Sequence, residues 1–376
     1  MKIAIMTQPL GKNYGGIMQA YALQKVLKDM GHSPTTIDYQ SKSSGFIYNK
    51  ARLVYRLAKR MTGKRKAPIN IENKIAYLTK HNQDFIDAHI SQSNHINESK
   101  ELNKYFRKNS YDAVIVGSDQ TWRPKYSPNI YDFYLDFLQR NKKIKRIAYA
   151  SSFGVDEWEY TQEETKKCAK LAALFDAVSV REQSGIELCR KYLNVDSECV
   201  LDPTLLLDKQ DYLELIGDRY KDGKSEGVYT YFLDRNKDKI EATQHVTDYL
   251  NTYSYKCQAE HSLSDLNGKN LDDYKMPAIQ DWLASFANAE FVLTDSFHGM
   301  VFSMIFEKPF LVIVNKERGA ARFESLLSQI DNIERLVYDS STISKELITI
   351  INISPLKNDN LNSMKKHSIS FLKKHL

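Results

Sequence analysis

Cysteine is scarce in this chain: Cys168, Cys189, Cys199 and Cys257 are four among 376 residues, and no pair has C-x-x-C spacing. That usage excludes a disulfide framework and fits buried thiols in a reducing compartment. The nine histidines are scattered, with no His, Asp or Cys grouping at ligand spacing, so no metal is expected. No apolar run approaches the roughly eighteen residues of a membrane span. The amino-terminal segment also lacks a basic n-region leading into an apolar core and a cleavage site. A cytoplasmic protein is therefore expected. Neither charge sign dominates, since 53 basic residues face 47 acidic ones for a net +6. This mild excess permits anionic substrates and contact with a membrane surface. Without zinc-finger spacing, an RNA-binding aromatic signature or a dense arginine tract, no nucleic-acid partner is expected.

What is present is alternation. Strand-like runs at 2–6, 35–39, 112–117, 145–150 and 177–180 are interleaved with helical ones such as 163–175. This order argues for a parallel sheet covered by helices. Around 205–211 the pattern becomes a short polar joint. A second series follows, with strands at 227–232, 253–256, 291–294 and 310–314 and helices at 237–250, 276–288 and 299–306. A chain of this length suits two domains. The expected layout is an α/β domain over residues 1–205 with a basic helical insertion at about 41–109, a second α/β domain over 206–355, and a helical tail over 356–376 that can pack back on the first domain. Two Rossmann-like parallel-sheet domains facing each other make a cleft, lined by loops at the carboxyl ends of both sheets.

Within the insertion, residues 50–66 hold eight Lys or Arg and no acid, with Leu53, Leu57 and Met61 at helical spacing. Such a helix can rest on anionic lipid headgroups, or it can be a solvated helix packed by a narrow apolar stripe.

The richest chemistry lies in Thr294-Asp295-Ser296-Phe297-His298-Gly299, between a strand-like and a helix-like run. Polar side chains and free helix N–H groups would meet there, as they do where an open α/β sheet binds an anion. His298 could move protons near neutral pH or serve only as a structural cap. Near the start, Asn13-Tyr14-Gly15-Gly16 reads as a tight loop whose glycines allow positive φ and close approach to a substrate. In Gly117-Ser118-Asp119-Gln120-Thr121-Trp122, Asp119 could orient a sugar hydroxyl or be a turn aspartate. Gln120 would be presented beside it, and Trp122 could stack on a sugar or anchor the loop. Arg181 follows a strand directly and can hold a carboxylate or phosphate, with a surface ion pair as the alternative. Lys316, Arg318 and Arg322 form a basic group after another strand, suited to a small substrate with several negative charges.

Together these pieces resemble the polysaccharide pyruvyl transferase family. Those that carry the resemblance are Asn13-Tyr14-Gly15-Gly16 with Gln19-Ala20-Tyr21-Ala22-Leu23, Gly117 to Trp122, Ser179-Val180-Arg181-Glu182, Leu201-Asp202-Pro203-Thr204-Leu205 and Thr294 to Gly299. They occur in the family's order over roughly residues 1–325. The resemblance implies a fold like that of the GT-B glycosyltransferases and transfer of pyruvate from phosphoenolpyruvate to a sugar as a cyclic ketal. The acceptor would be a saccharide or lipid-linked oligosaccharide of a surface glycan, with no cofactor beyond the donor. It also implies that His298 is the essential histidine, Arg181 a substrate-binding arginine and Asp119 an acidic residue of the cleft. One position departs: several members carry arginine two residues before the histidine, where this chain has Ser296, so Arg318 or Arg322 would supply that charge. A nucleotide-sugar glycosyltransferase is the alternative sharing the same cleft.

Overall fold

The computed structural model describes residues 1–40, 71–127, 129–138, 141, 143–261, 270–314, 319–354, 356–357 and 359–376. The basic stretch 50–66 lies outside them. The first half forms a parallel sheet of β1 (Lys2–Met6), β2 (Ser33–Thr36), β3 (Ala113–Val116), β4 (Lys145–Ser151), β5 (Ala177–Val180) and β6 (Glu198–Cys199), in the order β2-β1-β3-β4-β5-β6. The second holds β7 (Glu226–Tyr231), β8 (Ser254–Tyr255), β9 (Ala289–Thr294), β10 (Phe310–Ile313) and β11 (Leu336–Val337), in the order β11-β10-β9-β7-β8. Ala113-Val114-Ile115-Val116 is fully buried along its length, as is Phe310 to Val312. Such unbroken apolar runs mark strands covered on both faces.

Each sheet reverses its strand order once. In the first, β2 and β3 lie on opposite sides of β1, and in the second β8 and β9 lie on opposite sides of β7. The loops after β1 and β3, and those after β7 and β9, therefore diverge and leave a crevice, which is where open α/β sheets take ligands. Tyr14 bridges the two halves: its ring stacks on Trp282 at 5.0 Å and its hydroxyl donates to Pro277 O at 2.7 Å.

Helices of the insertion, Ile71–Leu78 and Lys80–His89, join the halves at one end of the crevice. Leu78 O accepts from Met276 N at 2.9 Å, and Asn82 Nδ2 donates to Gly11 O at 2.8 Å. The carboxyl-terminal helix Asp359–His375 lies against the first sheet, with Phe371 beside Tyr149 (ring centroids 6.2 Å apart) and Ser368 Oγ accepting from Leu201 N at 2.9 Å.

The second strand begins and ends earlier than its sequence pattern predicts. Ile37 N still donates to Ile5 O of β1 at 2.9 Å, and the backbone from Thr36 onward also pairs with the insertion, through bridges of Thr36 to Gln92 and Tyr39 to Ile96. β6 and β11 carry no sequence signal, because two residues are too few to show alternation. Among the described residues no helix is long and apolar enough to cross a membrane.

Candidate active site

The turn after β9 is built by its own side chains. Thr294 Oγ1 donates to Tyr231 O of the adjacent strand at 2.7 Å and accepts from Ser296 N at 3.1 Å, while Ser296 Oγ caps the next helix by accepting from Gly299 N at 3.3 Å. That helix, Phe297–Ile305, begins two residues before the sequence pattern predicts, so His298 sits in its first turn. A Cβ at Gly299 would come within 2.1 Å of Thr294 Oγ1, so glycine is what lets helix and strand approach.

Asp295 borders the cleft, but its carboxylate is taken up by partners within the protein. Its carboxylate accepts from Leu233 N at 2.6 Å and Asp234 N at 3.1 Å and pairs with Lys239 Nζ at 2.5 Å, with both charged side chains almost wholly buried. The residue fixes the loop after β7 against the loop after β9. Trp122 is a core residue: it is 0% exposed, stacks on Tyr134 at 4.8 Å and donates from Nε1 to Phe133 O at 3.1 Å. It anchors the loop that carries Asp119 rather than facing a sugar.

Gly15 and Gly16 also differ from expectation. They belong to the first turn of the helix Tyr14–Asp29 and do not have positive φ. Their small size is required by crowding. A Cβ on Gly15 would lie 2.0 Å from His298 Nδ1, and one on Gly16 would lie 3.2 Å from Asn13 Nδ2 and 3.5 Å from Asp119 Oδ2. The imidazole of the second half is thus seated directly on a helix start of the first.

Asp119, at φ 72°, is buried after β3 and lines the cleft with Asn13, Gln120, Ser296, His298 and Arg322. The cleft measures about 1000 Å³. Gln120 is held by Arg123 Nη1, which donates to its Oε1 at 3.1 Å. Arg181 stands behind the lining, its side chain 1% exposed. It donates from Nη1 to Asp202 Oδ2 at 2.7 Å, and its Nη2 lies 3.7 Å from Asp119 Oδ1. His298 Nε2 lies 3.7 Å from the same Asp202 oxygen, so Arg181 and His298 meet at one carboxylate. Phe297 packs between cations, with the Arg181 guanidinium 4.7 Å and the Arg322 guanidinium 5.7 Å from its ring centre. Lys316 and Arg318 lie outside the described residues.

In the sequence Asp202 stands out only as part of the motif Leu201-Asp202-Pro203-Thr204-Leu205. Its only signal is a carboxylate before a proline, and nothing in the sequence brings it to His298. Burial opposes its ionisation, but His298 and Arg181 outweigh burial and hold it well below the usual carboxylate range. Arg322 moves the other way: burial and the neighbouring Arg181 charge lower it to about 10, against the pull of Glu182 and Asp119. Several buried nitrogens here have no partner: Arg181 Nε and Nη2, Arg322 Nε and His298 Nε2. Buried guanidinium N–H groups of this kind favour an anionic acceptor.

A family model for polysaccharide pyruvyl transferase matches residues 13–317. The chain belongs to the polysaccharide pyruvyl transferase family. As a pyruvyltransferase it uses phosphoenolpyruvate as donor and a glycan as acceptor. No curated protein matches the chain. Among solved structures, the pyruvyltransferase chain is similar to S. aureus MnaA in complex with UDP, at 11% identity and a TM-score of 0.55 over 99% of this chain and 96% of that one. It is also similar to the UDP-GlcNAc 2-epimerases of Neisseria meningitidis and Methanocaldococcus jannaschii, each at 11% identity and a TM-score of 0.52 over the whole of both chains. At such identity the likeness is one of fold, the two-sheet GT-B arrangement.

Proposed function

We propose that His298 is the general acid of pyruvyl transfer and that Asp119 positions or activates an acceptor hydroxyl. The observation that carries this reading is the set of unpartnered buried nitrogens on Arg181 and Arg322 beside His298, which lines the cleft. Phosphoenolpyruvate offers a carboxylate and a phosphate to such a cluster, and Arg322, on the cleft wall, supplies the charge that Ser296 lacks. Arg181 acts from behind the wall, and Lys316 and Arg318 are further cations from the same stretch of sequence.

In the reaction, a proton passes from the His298 imidazolium to the methylene carbon: an N–H bond breaks, a C–H bond forms, and C2 becomes electrophilic. One sugar hydroxyl adds to C2 and loses its proton. Phosphate departs with the electron pair of the C–O bond, and a second hydroxyl closes the ketal as it loses its own proton. Of the two protons released, one restores His298 and the other remains with phosphate or solvent. Asp119 takes the first hydroxyl proton.

We further propose that the acceptor is a unit of a surface glycan on a lipid-linked precursor, modified at the inner face of the cell membrane. This rests on the basic composition of residues 50–66. The test of the central reading is His298→Gln, assayed by mass measurement of a glycan panel incubated with phosphoenolpyruvate. The folded variant should bind donor but lose roughly 10²–10⁴-fold in kcat, the range for general acid catalysis. Near-normal turnover would remove His298 as the acid.

A further inference from the structure

Asp202 carries more structure than an ion pair with Arg181 requires. Its Oδ1 accepts from Thr204 N at 3.1 Å and Thr204 Oγ1 at 2.7 Å, and its Oδ2 accepts from Arg181 Nη1 at 2.7 Å and Ser118 Oγ at 3.1 Å. Four donors on two oxygens leave the carboxylate no freedom to rotate. His298 Nε2 faces Oδ2 at 3.7 Å, and that nitrogen is buried with no other partner. The opposite edge of the ring is bounded by Gly15, beside Nδ1. We propose that Asp202 is a positioning residue that fixes His298 Nε2 as an N–H donor, leaving Nδ1 as the nitrogen that exchanges a proton with the substrate.

The inference rests on His298 being the acid and names which of its nitrogens acts. Nε2 is closed off from the cleft, so it cannot meet a substrate carbon, whereas a proton held between Nε2 and Asp202 leaves the other nitrogen free to work. The present separation is longer than a hydrogen bond, and catalytic contacts of this kind tighten when substrate closes the site. Other charged groups belong to the elements packed around this site. Arg181 is bound to Asp202 and near Asp119, Arg322 lies across Phe297, Glu182 follows Arg181, and Asp295 is paired with Lys239.

The experiment is nitrogen NMR of the full chain with ¹⁵N-labelled histidine, with the His298 signals identified by their loss in His298→Gln. The neutral ring in the wild type should carry its proton on Nε2. In Asp202→Asn the midpoint of ring titration should fall by roughly one pH unit or more. The high-pH limb of kcat/KM should move the same way, with kcat down roughly 10²–10⁴-fold, as when the orienting carboxylate of a catalytic triad is neutralised. A wild-type ring protonated on Nδ1 overturns the proposal, as does an unchanged titration in folded Asp202→Asn. Should that variant fail to fold, the wild-type proton position alone decides. Failure of the acid assignment appears separately, as retained turnover in His298→Gln.

Discussion

At the scale of single residues, space and charge decide what the site can do. Gly15 exists to leave room for an imidazole: the Cβ of an alanine would overlap the His298 ring, 2.0 Å from Nδ1. Gly15→Ala should therefore displace the ring. The expected outcome is a loss of stability of about 1–3 kcal/mol, typical of overpacking, with a larger fractional loss of kcat than of donor affinity. Urea denaturation and steady-state kinetics on the same preparation read both. Arg322 is a cation in an unfavourable place, since its folded value of about 10 lies below that of a free guanidinium. For a base so lowered, the charged form weakens the fold at every pH below that value. A bound anion removes the penalty. Phosphoenolpyruvate should bind more weakly as pH rises toward 10 and Arg322 loses its charge, and Arg322→Gln should lose both affinity and this high-pH dependence in isothermal titration.

At the scale of elements, the carboxyl-terminal helix supports the site from a distance. Ser368 accepts from Leu201 N at 2.9 Å, and the Tyr149 hydroxyl donates to Leu201 O at 3.1 Å, so the peptide groups on both sides of Leu201 are held just before Asp202. Leu372 is fully buried in the same helix. Leu372→Ala should cost about 2–5 kcal/mol by denaturant unfolding, the range for emptying a core leucine site. Ser368→Ala should cost only about 1 kcal/mol, the net value of one hydrogen bond. If the helix matters to Asp202, kcat should fall in Ser368→Ala more than its small stability change explains, and unaltered kcat would confine the helix to a packing role.

At the scale of the whole molecule, Asp202 and Arg181 from the first half meet His298 and Arg322 from the second, so donor binding should tie the halves together. A ligand that binds only the folded chain stabilises it by mass action, about 2.7 kcal/mol at a hundredfold excess over Kd. Phosphoenolpyruvate should raise Tm in the wild type and less in Arg322→Gln. The basic stretch 50–66 sets a second expectation at this scale. The chain should sediment with anionic vesicles at low salt and be released as salt screens the attraction. Equal recovery with neutral vesicles would leave only a solvated helix.

The sequence by itself determined the strand order along the chain and the kind of chemistry. Apolar runs such as Ala113–Val116 and Phe310–Ile313 specify buried parallel strands whatever surrounds them, and the helix Lys237–Leu250 is bounded as its pattern predicts. His298, Asp119 and Arg322 were legible because polar residues after apolar strands fall at the open ends of a parallel sheet. What the sequence left undecided was which polar groups the protein itself takes up. Asp295 and His298 are three residues apart and both border the cleft, yet the carboxylate is consumed by Lys239 and two backbone N–H groups while the imidazole faces Asp202 at 3.7 Å. Trp122 and Gln120 divide between core and cleft. Asp202 became part of the site only when the halves came together, because a carboxylate's role is set by the charges that reach it across the fold. Local pattern fixes where a side chain leaves the backbone, and only packing between distant segments decides what it meets.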